Sequence, residues 1–432
     1  MQEPKIVRRT GGKLVVELEI DITGKTMLEK EEAIREAVNA VGRLGTKVAL
    51  KSFDTDGSPL RVGATKFTSK GEHPETYECP YGDISVSRHV YQGSGGGKTF
   101  CPLENSAKMI LNSTPSYAKI ISYKYASGGG LKVSADMEET LGRKVCSAYV
   151  KMIGDFVGEV AQTEELAFEY ELPALKDVSE IAVGLDGTCM LMIDTGWREA
   201  MTGTISFYDS LGRRLHTIYM GAAPEYGKEN FLKRLDAELA RVKAEFPACD
   251  YVGLADGAAT NWTFLEPRTD RLLLDFYHVS EYMAKAGHCL FPGKRNDKNR
   301  ELWLEDSLHK LKWNNGAAAR QAKEFNAFLK TVPAKHKADM EEVCTYFKNH
   351  AKKMNYAKET AKDMPIGSGV TEAACKELIK QRLCNSGMRW KGDGAAAVIA
   401  IRSLVLTGER WSQFWKRISV SGCPAHRMFS KI

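Results

Sequence analysis

Ile181-Ala-Val-Gly-Leu-Asp186-Gly-Thr188 sets four apolar residues in five directly before an acid and a glycine. Such a run reads as a buried strand whose end presents a carboxylate where the backbone can be approached closely. Two further apolar runs, 201–208 and 214–220, flank Asp209-Ser-Leu-Gly212, whose residues favour a turn. Asp186 is therefore expected on the first strand of an antiparallel meander. Seventy residues on, Tyr251-Val-Gly-Leu-Ala-Asp256-Gly repeats the unit, after an amphipathic helix expected from about 228 to 245. Two strands of one sheet thus deliver one aspartate each to a common edge.

Carboxylates held together between apolar walls repel, and one takes up a proton unless a cation lies between them. Magnesium suits such a site, because it prefers oxygen ligands and takes one or two carboxylates together with substrate phosphates. Either aspartate alone also fits an ordinary strand-end turn. The repetition of the unit is what favours a shared site.

A third acid comes from a helix. Pro365-Ile-Gly-Ser-Gly369 breaks the chain, and Val370-Thr-Glu372-Ala-Ala-Cys-Lys376 resumes with helical spacing, which puts Glu372 in the first turn. Lys376 and Lys380 follow at four-residue steps on the same face.

The chain of 432 residues is too long for one core, and no stretch reaches the length of about 18 apolar residues that a membrane span needs. The first residues show no apolar run of the signal-peptide kind. Ten cysteines stand singly, with no Cys-x-x-Cys pair, as in a reducing compartment. These features predict a cytoplasmic protein with no membrane partner. Charge is divided: from Glu281 to Ile432 there are 28 Lys and Arg against 15 Asp and Glu, a net +13, which leaves the first 280 residues at −7. A basic C-terminal third is what a polyanion-binding surface would need.

Toward the N-terminus, 14–20 reads as a strand, and Thr26-Met-Leu-Glu29 as a capping box opening a helix with the stripe Leu28, Ile34, Val38 and Val41. Gly97-Lys98-Thr99 imitates the end of a phosphate-binding loop, but Gln92 stands where that loop requires glycine. His73, Cys79, His89 and Cys101 match no standard zinc spacing. Residues 104–165 are helical, with a helix-turn-helix-like set that could serve DNA binding or join two domains as a plain bundle. A fifth strand is expected over 271–277, running into His278. About ninety almost wholly helical residues then follow, as an insertion would.

The phrases Asp275-Phe-Tyr-His278-Val-Ser-Glu-Tyr282, Gly367-Ser-Gly-Val-Thr-Glu372-Ala-Ala-Cys-Lys376 and Ser386-Gly-Met-Arg-Trp390 closely resemble the ISKra-type insertion-sequence transposases, whose ribonuclease-H-like core carries an Asp-Asp-Glu triad. The similarity runs from about 178 to 415. It implies an enzyme that binds double-stranded DNA at transposon ends and in the target, works as a homo-oligomer on that DNA in the bacterial nucleoid, and cleaves and transfers strands. Asp186, Asp256 and Glu372 would be catalytic and hold two magnesium ions, with manganese as a substitute. His278 would position a scissile phosphate or brace the sheet. Lys376, Lys380, Arg382, Arg389 and Trp390 are candidate DNA contacts, with Trp390 able to stack on an unpaired base. Members often carry a Cys-x-x-Cys-Gly knuckle before Phe-x-Pro-Leu; here Gly93-Ser-Gly-Gly-Gly97 stands in its place, so no zinc is expected.

The expected architecture is an α/β catalytic core built on a ribonuclease-H-like mixed five-stranded sheet with flanking helices. Its parts are an N-terminal α+β domain (1–103), a helical DNA-binding region (104–177), the core in two pieces (178–278 and 364–432, the second with the catalytic helix and a basic tail) and an all-helical insertion (279–363). Two alternatives remain: a domesticated DNA-binding protein without catalysis, and an actin-like or sugar-kinase-type ATP phosphotransferase, whose phosphate loops the two Asp-Gly phrases also resemble.

Overall fold

The structure is a computed structural model that describes residues 3–225, 228–385 and 387–423. The chain divides into two compact units, Met1–Tyr170 with Trp411–Ile432, and Glu171–Arg410. Among the described residues no helix is long and apolar enough to cross a membrane.

In the first unit a hairpin of β1 (Lys5–Thr10) and β2 (Lys13–Glu17) precedes α1 (Met27–Lys51). The capping box forms as expected: the Glu29 N–H donates to Thr26 Oγ1 and the Thr26 N–H to the Glu29 carboxylate. The expected stripe does not face the core, since Leu28, Ile34 and Val38 are exposed while Ala37 and Leu50 are buried. Strands β3 (Leu60–Val62), β4 (Thr65–Cys79), β5 (Gly82–Gly93) and β6 (Thr99–Phe100) make a four-stranded antiparallel sheet in that order. A short helix α2 (Pro102–Ser106) then leads to α3 (Pro115–Ser127), α4 (Gly130–Leu141) and α5 (Ser147–Thr163). Leu131, Lys132, Glu138 and Glu139 are exposed on α4. The middle helix thus turns more acid than base outward, and DNA phosphates repel such a face.

Three long strands open the second unit, β7 (Val178–Met192), β8 (Gly196–Asp209) and β9 (Arg214–Ala222). They form the expected meander, followed by α6 (Glu229–Glu245). Then come β10 (Asp250–Ala255), α7 (Ala259–Leu265) and β11 (Arg271–Leu274). Sheet order is β11-β10-β7-β8-β9, with β10 and β11 parallel to the first strand of the meander. Both faces are covered, so β7 is a near-continuous apolar run rather than an alternating one. Phe231, Leu235, Leu239 and Val242 recur at helical spacing on α6 and are buried. A Cβ on Gly203 would meet Phe231 and Leu235, which places α6 on the face where Gly203 lies.

The fifth strand is shorter than expected. Asp275 ends it by accepting the Tyr277 and His278 N–H groups, and so caps α8 (Phe276–Leu290). His278 therefore sits in the first turn of a helix rather than at a strand end. Helices α9 (Asp297–Trp313), α10 (Ala317–Phe328), α11 (Lys337–His350) and α12 (Ala357–Thr360) follow. They do not form a separate insertion domain: Met283, Phe325, Val343 and Phe347 belong to one continuous hydrophobic core with Ile181, Val183 and Leu274. Tyr356 anchors the return by donating its hydroxyl to Leu274 O at 2.8 Å.

The chain then enters α13 (Gly369–Ala374), a π turn at Cys375–Lys380 and α14 (Gln381–Leu383) as one continuous helical stretch, before α15 (Gly392–Leu406). The last described helix, α16 (Arg410–Ser421), falls almost wholly in the first unit, and not in the core to which the sequence division assigned 364–432. Its aromatic face explains this, with Phe414 5.7 Å from Phe168 and Trp411 6.0 Å from Tyr123. The last part of the basic tail, 424–432, lies outside the described residues.

At the sheet end away from the row of aspartates, Arg271 ion-pairs with Glu180, Asp250 and Glu359, and both glutamates are buried. One guanidinium cannot neutralise three carboxylates. Burial, and next the Glu359 charge, push Glu180 up to about 7, although Arg271 opposes them. A raised acid holds its proton more tightly folded than unfolded, so this group's contribution falls as pH rises from the ordinary carboxylate range through 7. Glu180→Gln should match the wild type near pH 5 and exceed it at pH 8 by about 1–2 kcal/mol in urea unfolding. A variant less stable than wild type at pH 8 would show that the charged form is the one the fold uses.

Candidate active site

Asp186, Asp256 and Asp275 occupy one row across three neighbouring parallel strands. Leu185 pairs with Ala255 and Ala255 with Leu274, so the residue following each is an aspartate at the same level. Asp186 shares a strand face with Gly184, on which α13 is seated: the Thr371 hydroxyl lies over Gly184 and is 2.7 Å from Thr204 Oγ1. A turn later the Cys375 thiol donates to Asp186 Oδ2 at 3.3 Å, while the Gly187 N–H donates to Oδ1 at 2.7 Å. Asp186 and Asp256 thus stand level on adjacent strands, and the charges of Asp256 and Glu372 both act on Asp186. Among the described residues, however, the ligand atoms that converge within 4.8 Å are those of Glu372 with Asp275 and His278, not of Glu372 with the two strand-end aspartates.

Neutral donors hold these carboxylates. Asn261 gives its amide to Asp256 Oδ1 at 3.3 Å and to Leu185 O at 3.4 Å, tying β10's aspartate to β7. Ser368 Oγ is 3.1 Å from Glu372 Oε1. Among the described residues, no lysine or arginine pairs with Asp186, Asp256 or Glu372. Burial pushes the Asp186 carboxyl up, and the charges of Asp256 and Glu372 push the same way, against the donations from Cys375 and Gly187. A concentration of oxygen donors with more negative charge than the single His278 imidazole can offset fits a hard divalent cation.

Asp275 is the residue that sequence reasoning underused. Its Oδ2 accepts the Ser368 N–H at 2.5 Å and the Ser368 hydroxyl, and its Oδ1 caps α8. Although 1% exposed and pushed up by burial, it is held well below the usual carboxylate range by donations from His278 and Ser368. His278 Nδ1 stands 3.5 Å from Asp275 Oδ1. That carboxylate raises the imidazole to about 9 despite burial, with smaller contributions from Asp256 and Glu281. Donor atoms of Asp275, His278 and Glu372 all lie within 4.8 Å of one another. The Asp-x-x-His spacing and the Gly-Ser-Gly break were visible in the sequence; their joint clamp was not.

The π turn has a visible cause. Arg402 on α15 donates to Leu378 O at 3.0 Å and to Glu377 O, satisfying carbonyls that a widened turn leaves without their usual partners. Lys376, Lys380 and Arg389 are exposed, and no acid pairs with them among the described residues. Arg382 differs: it is 3% exposed and its guanidinium lies 5.1 Å from the Trp390 ring centroid, so it packs inside instead of meeting a phosphate. Trp390 is similarly engaged. Its indole N–H donates to Leu383 O at 2.8 Å, and its backbone bonds Leu191 and Ile193 at the end of β7. This makes it a pin between segment and sheet, not an open platform. Ser386 lies outside the described residues. The exposed Trp197, beside Arg198 on the β7–β8 hairpin, went unnoticed in the sequence; the Gly-Trp-Arg following Asp194-Thr195 was its signal. The sequence matches no protein-family model and no curated protein.

Proposed function

We propose that this chain is a DNA transposase that binds insertion-sequence ends, working as a homo-oligomer on DNA, and carries out metal-dependent strand cleavage and strand transfer. The observation that carries the reading is that Asp186 and Asp256 stand level on adjacent strands while the helix that carries Glu372 is seated on the first of them, near enough for the Glu372 charge to act on Asp186. The strand order, a three-stranded meander followed by two strands parallel to its first, supports a ribonuclease-H-like core.

Asp186, Asp256 and Glu372 would hold magnesium, which when bound would activate water or a DNA 3′-hydroxyl and neutralise the leaving oxygen. The chain's own residues prepare that site. Cys375 and Gly187 fix both oxygens of Asp186, Asn261 orients Asp256, and Ser368 links Glu372 to the buried Asp275. His278 stays protonated at neutral pH and brings one positive charge to an acidic edge, which suits a phosphate approaching it. Lys376, Lys380 and Arg389 offer exposed charges for the backbone beyond.

The test is a cleavage assay with purified protein, duplexes carrying the ends of its own element, and magnesium or manganese. Strand breaks at the element boundary that leave 3′-hydroxyl ends are expected. Intact duplex with either ion would overturn the proposal.

A further inference from the structure

We propose that Cys289, His336 and Asp339 form a zinc-type metal site that fastens the far end of α8 to the start of α11. Cys289 is the penultimate residue of α8, His336 closes the short turn Ala334–His336, and Asp339 lies in the first turn of α11. A sulfur, an imidazole nitrogen and a carboxylate oxygen, one from each, all lie within 4.8 Å of one another. Tetrahedral zinc, with bonds of about 2.0–2.3 Å, wants its donors roughly 3.3–3.8 Å apart. A contraction of about 1 Å closes the set, and the side chains that must rotate are the half-exposed His336 and the exposed Asp339.

The fixed member is Cys289, which is 2% exposed and whose thiol, among the described residues, donates to the His336 carbonyl at 3.8 Å. A cation here also lies near the negative end of the α8 dipole. Sulfur and imidazole nitrogen select zinc or cobalt over magnesium, so this site and the acidic edge would take different ions. Lys285 stands 3.5 Å from Asp339 Oδ1, but it also pairs with Glu342 and keeps that partner when Asp339 turns to the metal. Three protein ligands leave the fourth position to water. Because α8 begins at the Asp275 cap, next to His278, an ion at Cys289 would hold the opposite end of the helix that carries His278.

The site is tested with the metal-free full chain titrated with Co2+, independently of any DNA activity. One equivalent should produce a thiolate-to-cobalt charge-transfer absorption that Zn2+ displaces. Cys289→Ser should remove the band, His336→Ala should weaken binding by at least about tenfold, and Asp186→Asn should leave both band and affinity unchanged, which separates this site from the acidic edge. Zn2+ should raise the melting temperature of the wild type and not that of Cys289→Ser. No band in the wild type, or a band that persists in Cys289→Ser, overturns the proposal. Should Cys289→Ser fail to fold, His336→Ala decides alone, since its ring lies outside the core and undiminished cobalt affinity there is equally fatal.

Discussion

Asp186→Asn is expected to lower metal-dependent strand cleavage by on the order of a thousandfold, about 4 kcal/mol of barrier, while leaving the fold intact. Asparagine has nearly the volume of aspartate, and its carbonyl oxygen can keep the Gly187 N–H donation that Asp186 Oδ1 receives. What it removes is charge, together with the Oδ2 acceptor of the weakly donating Cys375 thiol. In the absence of metal that charge is a liability, because burial and the neighbouring Asp256 and Glu372 all disfavour it. The apo variant should melt at or above the wild-type temperature. Saturating metal should reverse the order: an ion at a hundred times its dissociation constant adds about 2.7 kcal/mol to a protein that binds it, and the variant should lose most of that gain. Glu372→Gln should behave alike if both acids serve one site. Undiminished cleavage, or identical metal responses of variant and wild type, would remove Asp186 from the metal centre.

The second large effect needs no assay of function. A Cβ at Gly184 would overlap Thr371 Oγ1 and come within 2.8 Å of Thr204 Oγ1. Neither threonine can simply swing aside, because each is the other's hydrogen-bond partner and both are buried. Gly184→Val should therefore cost about 3 kcal/mol through overpacking, with a further ~1 kcal/mol if the threonine pair opens. Gly184→Ala should cost less, since one methyl can be met by a small shift of α13. Displacement of α13 also moves Glu372, so a folded Gly184→Val protein should respond weakly to added metal. Urea unfolding of Gly184→Val that coincides with the wild type would mean that α13 does not sit on β7 as described.

The strands that carry Asp186 and Asp256 could be read because apolar runs end in Asp-Gly twice, and an interior strand has no other way to be written. Periodicity could not show where the fifth strand stops. Leu272-Leu-Leu-Asp-Phe-Tyr277 is apolar on both sides of Asp275, and only the capping geometry of that side chain separates strand from helix. The helical block after it looked separable for a related reason: amphipathic spacing announces a buried face without naming what covers it. Here Phe325 and Phe347 pack into the core of the sheet itself. Charge misled at Arg382, which by type belongs on a surface and in fact lies against Trp390. That Asp275 joins Asp186 and Asp256 in one row was beyond reach, because it depends on the register of parallel strands that the sequence does not encode locally.

The π turn sets a phase condition on the helix that carries Glu372. An α-helix turns by about 100° per residue, so the residues before and after any point are locked in a fixed angular relation. Here two surfaces make separate demands: β7 dictates which way Thr371 and Cys375 point, and α15, through Arg402, dictates where Glu377 and Leu378 present their carbonyls. A π turn inserts one residue beyond the α repeat, and so lets the two halves satisfy different partners without a break in the backbone. Length is thereby fixed as firmly as composition. A chain one residue shorter between Cys375 and Lys380 could be regular throughout, yet it would have to give up either its seat on the strand or its grip on the following helix.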